Sequence, residues 1–97
     1  MADGIKHDQG KVEPELVMRG FAHALEAVAA VATHGAAKYA PDNWQHVEPR
    51  RYLNAMYRHL LAEHQGETID PESGLHHAAH AAWNALARLE LLLRAAR

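Results

Sequence analysis

The feature that most limits what this chain can fold into is the period of its apolar residues. In three separate stretches they recur every three or four positions, the spacing that gathers side chains on one face of an α-helix. From Pro14 to about Thr33 the positions are Val17, Phe21, Ala24/Leu25, Val28 and Val31/Ala32, with Pro14 suited to a first turn and Gly35 able to end the run. Leu53, Met56/Tyr57 and Leu60/Leu61 repeat the pattern after Pro49 and stop at Gly66. Leu75, Ala79, Ala82, Leu86, Leu89 and Leu93 form a third series, a seam for helix packing. The expectation is a single all-α domain over 1–97, with helix one at 14–34, helix two at 49–65 and helix three at 74–94. Helices two and three should fold back antiparallel on each other.

Punctuation fills the gaps. Residues 1–13 are polar, with Gly4 and Gly10 bracketing Lys6, His7, Asp8 and Lys11, and read as an ordered arm able to cover a site. A long loop between helices one and two carries the turn signal Pro41-Asp42-Asn43, flanked by Tyr39 and Trp44. The segment Gly66-Glu67-Thr68-Ile69-Asp70-Pro71-Glu72-Ser73-Gly74 holds three carboxylates between two glycines, so backbone turns and not burial shape it.

Composition narrows the function classes. A chain of 97 residues buries a modest share of its surface, which favours a homo-oligomer whose partner covers the leucine seam and part of helix one. A formal charge of −2 disfavours gripping duplex nucleic acid. With no cysteine there is no disulfide and no thiolate site, and no apolar run of about 18 residues offers a membrane span. The opening Met-Ala-Asp-Gly lacks the features of a signal peptide, and a cytoplasmic setting is expected.

Nine histidines are the anomaly. His77, His80 and Asn84 share a helix face, and His59 sits four residues before Glu63 on helix two. The hairpin fold would bring His59, Glu67, Asp70, Glu72, His77 and His80 to one end. Carboxylates there suit magnesium, manganese or calcium, and imidazoles turn preference toward manganese, iron, nickel or zinc. The same histidines could instead cap helix ends or lie in water. His7, His23, His34, His46, His64 and His76 read as surface or packing residues, His34 being the first to suspect otherwise. Tyr39 and Trp44 can be packing anchors or stacking platforms, and Lys6, Lys11 and Lys38 can be solvated or can meet an anion.

Lys6-His7-Asp8-Gln9-Gly10-Lys11, His34-Gly35-Ala36-Ala37-Lys38-Tyr39 and Asn43-Trp44 begin a pattern that continues through Arg58-His59-Leu60, Gly66-Glu67 and Asp70-Pro71-Glu72-Ser73-Gly74-Leu75 to His77, His80 and Asn84. Over nearly its whole length the chain resembles the phage and prophage family of the dATP/dGTP diphosphohydrolase N-terminal domain. That resemblance implies a helical enzyme that splits a purine deoxynucleoside triphosphate into monophosphate and pyrophosphate with a divalent metal, magnesium or manganese first and zinc, iron or nickel as alternatives. The paired motif of the MazG-like all-α pyrophosphohydrolases, Glu-Glu-x-x-Glu on one helix followed by Glu-x-x-Asp on the next helix, is absent. The expected ligands are therefore Glu67, Asp70, His77 and His80, joined by His59. Arg58, Lys38 or Lys11 would neutralise phosphate charge and Glu72 or Glu63 would be the base. Asn84 would orient a ligand or bond the sugar, and Trp44 or Tyr39, with Asn43 beside them, would receive the purine. The alternatives are a protein that binds a nucleotide without cleaving it and a cluster that fixes the hairpin end as a structural metal site.

Overall fold

The computed structural model describes residues 3–97, so the first two residues of the expected arm lie outside the described ones. Four α-helices follow the arm: α1 (Pro14–Gly20), α2 (Ala22–Tyr39), α3 (Pro49–His64) and α4 (His77–Ala95), with a 3-10 turn at Asn43–His46. Among the described residues there is no strand, and one isolated antiparallel bridge joins Ile69 to His76. The all-α expectation holds.

Helix one is two helices. Pro14 opens α1 as expected, Glu15 and Arg19 suit its two ends, and the run breaks at Phe21, where φ −118° and ψ 33° leave the helical region. Phe21 donates its N–H back to the Val17 carbonyl while its own carbonyl accepts from Leu25, so the chain turns without losing a backbone bond. The two axes differ by 86°. Every residue from 3 to 24 is exposed, so neither the arm nor α1 is covered by the body, and the apolar Leu16, Val17 and Phe21 face water.

At the other end, α2 runs past Gly35 to Tyr39. Gly35 costs helix stability, but the packing of α2 on α4, which brings His34 against His80, outweighs that propensity. The helix stops where Pro41 excludes the helical region for Ala40, which adopts φ +103°.

α3 ends as the sequence indicates. Gly66, at φ +95°, donates to the Glu63 carbonyl at 2.9 Å while Glu67 donates to Ala62 at 3.0 Å, the paired bonds of a Schellman cap. The chain leaves that cap with Glu67 in place and doubles back through a tight loop: Asp70 N–H bonds the Leu75 carbonyl at 2.8 Å, and His77 N–H bonds Thr68 at 3.0 Å. These loop bonds delay α4 to His77, three residues later than periodicity alone suggests.

α3 and α4 pack antiparallel, since His59 meets His77 while Tyr52, two turns earlier, meets Trp83, six residues later. The expected leucine seam is not the face that packs. Ala79 is buried, but Leu86, Leu89 and Leu93 are 49 %, 51 % and 56 % exposed. The buried residues of α4 are His77, Ala79, Ala81, Asn84 and Ala87. Small side chains face α3 because α3 and the 3-10 turn fill the groove with Tyr52, Trp44 and His59, and bulky leucines would not fit beside them. No single helix among the described residues is long and apolar enough to cross a membrane.

Candidate functional site

The hairpin end gathers the chemistry. α3 supplies His59, the loop supplies Glu67, Asp70, Glu72 and Ser73, and α4 supplies His77 and His80. α2 crosses them with His34 and Lys38, four residues apart and so on one helix face. The His59 and His80 rings stack at 4.5 Å with planes 6° apart, His59 lies 5.1 Å from the His77 ring, and the His34 ring stands edge-on to His80 at 6.5 Å.

Hydrogen bonds tie these rings to the acids. His77 is 4 % exposed, and its Nε2 lies 2.7 Å from Glu67 Oε1. Nδ1 of His77 and Nδ1 of His59 are 2.8 Å apart. His80 Nε2 is 2.6 Å from the Ser73 hydroxyl and 3.4 Å from Asp70 Oδ2. Ser73 donates to that same Asp70 oxygen at 3.0 Å, and Asp70 Oδ1 accepts the Glu72 backbone N–H at 3.2 Å. At the rim, Lys38 Nζ makes an ion pair with Glu72 at 2.5 Å and sits 5.1 Å from the Tyr39 ring centre.

Burial sets the charge state. It lowers the pKa of His59 below 6.5, and the neighbouring His80 and His77 rings push it the same way. Burial also lowers His80, outweighing the opposing pull of Asp70. Asp70 shows the reverse balance: burial raises its pKa, but the Glu72 amide, the Ser73 hydroxyl and the His80 and His59 rings together carry it below the usual carboxylate value. Glu72 is held low by the Lys38 hydrogen bond and charge, and Lys38 is raised by the same bond. Two neutral imidazoles therefore stand beside an ionised carboxylate.

Of the expected metal and catalytic residues, the fold brings together His59, Glu67, Asp70, Glu72, His77 and His80. Arg58 is exposed on α3 next to His59, and Glu63 is half-buried one turn further on. Lys38 reaches the acid loop. Lys11 does not: it is exposed in the uncovered arm, and its backbone N–H turns back to Asp8. Asn84 is buried, and its amide donates to the His80 carbonyl at 2.8 Å. Tyr39 is 61 % exposed beside Lys38, and Asn43 is exposed at the start of the 3-10 turn. Trp44 belongs to an aromatic cluster further along the hairpin, 6.4 Å from Trp83, with its carbonyl bonded by Tyr52 and Arg94 over its ring at 5.3 Å. Sequence reasoning missed Ser73. The signal was available, since a serine three residues after an aspartate in a Pro/Gly turn is the usual partner of that side chain.

The donor set suits a divalent ion chemically, but the donors are spent on one another. Among the described residues no three His, Asp or Glu side chains converge on one ion position. Glu67 and Asp70 occupy the places of outer partners that fix a ring, one on His77 and the other on His80 through Ser73.

No solved structure matches the chain. A curated relative, the dATP/dGTP diphosphohydrolase of Salmonella phage PMBT28, is 46 % identical over 79 residues, which is 81 % of this chain and 26 % of the relative. The chain thus spans about a quarter of that protein's length. The family model described as dATP/dGTP diphosphohydrolase, N-terminal, matches residues 1–97, and the chain belongs to that family.

Proposed function

We propose that the chain is a hydrolase that cleaves purine deoxynucleoside triphosphates between the α- and β-phosphates at the hairpin end. One observation carries this reading: the stacked, neutral His59 and His80 lie beside an acid loop whose Glu72 holds a lysine available to phosphate.

Lys38 exchanges Glu72 for a phosphate oxygen, and Arg58 adds positive charge next to His59. A neutral imidazole accepts a proton from water as the water oxygen bonds the α-phosphorus. The bond from that phosphorus to the bridging oxygen breaks, and pyrophosphate leaves. Glu72, tied to Lys38 and held ionised, is the weaker base of the two kinds present. Tyr39 is the aromatic left for the purine, because Trp44 is engaged with Trp83 and Arg94. A divalent ion would come with the triphosphate, as magnesium usually does, and would supply charge screening, since among the described residues no three His, Asp or Glu side chains converge on one ion position.

The test is incubation with each deoxynucleoside triphosphate and magnesium or manganese, with products separated as mono-, di- and inorganic phosphates. Monophosphate and pyrophosphate from dATP or dGTP are expected. Saturable binding with no product would make the protein a nucleotide-binding one, and neither binding nor product would end the proposal.

A further inference from the structure

The contacts around Ser73 permit one assignment of protons. Its Oγ has three polar neighbours: the Leu75 N–H at 3.1 Å, Asp70 Oδ2 at 3.0 Å and His80 Nε2 at 2.6 Å. Leu75 can only donate and an ionised carboxylate can only accept, so the one hydroxyl proton goes to Asp70. His80 Nε2 must then carry a proton and donate it to Oγ. The reverse, with Ser73 donating to His80, would set lone pairs of Oγ and Oδ2 against each other at 3.0 Å, and those of Nε2 and Oδ2 at 3.4 Å. Every contact is attractive in one arrangement only.

We propose that Ser73 is a positioning residue: with Asp70 it locks His80 in the Nε2–H form and leaves Nδ1 as the basic nitrogen offered to the attacking water. The role of Nδ1 rests on the hydrolase reading; the lock does not. Nδ1 of His80 has no hydrogen-bond partner among the described residues, and the side chain keeps 12 % of its surface exposed. Glu67 Oε1 lies against His77 Nε2, and the 2.8 Å contact between His77 Nδ1 and His59 Nδ1 engages the inner nitrogen of both rings. That leaves His59 Nε2 as a second open nitrogen on the ring stacked against His80. A histidine on a helix is free to flip its ring, and the loop removes that freedom.

Long-range ¹H–¹⁵N correlation spectra of ¹⁵N-histidine protein at pH 8, on wild type and the Ser73→Ala, Ser73→Thr and Ser73→Cys variants, read the tautomer directly. Wild type should show His80 as Nε2–H. Ser73→Ala should show the Nδ1–H form or a mixture, and Ser73→Thr should restore the original signal. Turnover on dATP and dGTP should follow, with kcat lowered by about tenfold or more in Ser73→Ala and KM little changed, the scale seen when an outer partner is lost. If Ser73→Ala fails to fold, Ser73→Cys keeps the shape with a weak hydrogen bond and should show the same loss. An unchanged tautomer in a folded Ala or Cys variant overturns the lock whatever the activity. A changed tautomer in a protein that cleaves no nucleotide upholds the lock and sinks the hydrolase reading instead.

Discussion

Because burial holds His59 and His80 neutral, acid should act on them first. Their folded-state pKa values lie below 6.5, so as pH falls through that value the unfolded chain takes up protons the folded chain refuses. Stability is therefore full above about pH 7 and declines below about 6.5, the ordinary histidine value. Asp70 adds a later loss in the same direction, because its folded value lies below 3.8 and its contribution disappears as pH drops through it. Thermal melts at pH 8, 5 and 2.5 should show two successive falls, and His59→Gln should flatten the first; a melting temperature independent of pH between 8 and 5 would refute the account. Lys38 makes a different case. It and Glu72 are exposed, so Lys38→Ala should leave the melt unchanged, yet raise KM for the nucleotide by about tenfold if it is the phosphate contact. Much at this scale was legible in the sequence: His59, His77 and His80 meet as their spacing implies, and His34 joins them. What was not legible is how donors are shared, because the bond from Ser73 to His80 depends on a loop register set by Gly74 at φ +75° and the Ile69–His76 bridge.

At the level of elements, periodicity located the helical stretches and the antiparallel hairpin, but not the face of α4 that packs or the break at Phe21. The break at Phe21 follows a glycine inside an apolar pattern, and only the packing of α2 on α4 decides that the chain turns at Gly20 and continues through Gly35. The leucine seam misled for a related reason: hydropathy ranks Leu86 and Leu89 above Ala81 and Asn84, but a groove already filled by Tyr52, Trp44 and His59 selects for small size. Two substitutions test the terminations. Ala40 occupies φ +103°, where an L side chain is strained and glycine is not, so Ala40→Gly should stabilise by about 1 kcal/mol in denaturant unfolding. Gly66→Ala should destabilise by a similar or larger amount, because it strains the Schellman cap at φ +95°, and it should also weaken nucleotide turnover by displacing Glu67. An Ala40→Gly protein less stable than wild type would show that α2 ends otherwise.

The whole molecule is too open for its length. Its radius of gyration is 17.0 Å and its extents are 56 × 31 × 25 Å, against about 12.5 Å for a compact domain of this size. Two apolar strips stay in water, one on the uncovered α1 and one on the outer face of α4. Leu16, Val17, Met18 and Phe21 are 49–62 % exposed on the first, and Leu86, Leu89, Leu92 and Leu93 are 43–56 % exposed on the second. Monomeric proteins rarely leave this much contiguous apolar side chain in water, and the core of Val31, Tyr52 and three alanines is small. A second copy is the partner we propose, since a twofold axis covers both strips at once when α1 of each copy lies along α4 of the other. Tyr57 and Leu61, half-exposed on α3, extend the surface toward the histidines. Light scattering coupled to size exclusion should then report a dimer or larger at micromolar concentration. Leu89→Glu combined with Phe21→Glu should yield a monomer with a lower, concentration-independent melting temperature, because the charges leave the α3–α4 contact untouched but cannot be buried between copies. A wild-type protein that runs as a monomer, with a melting temperature the double variant does not change, would overturn the dimer.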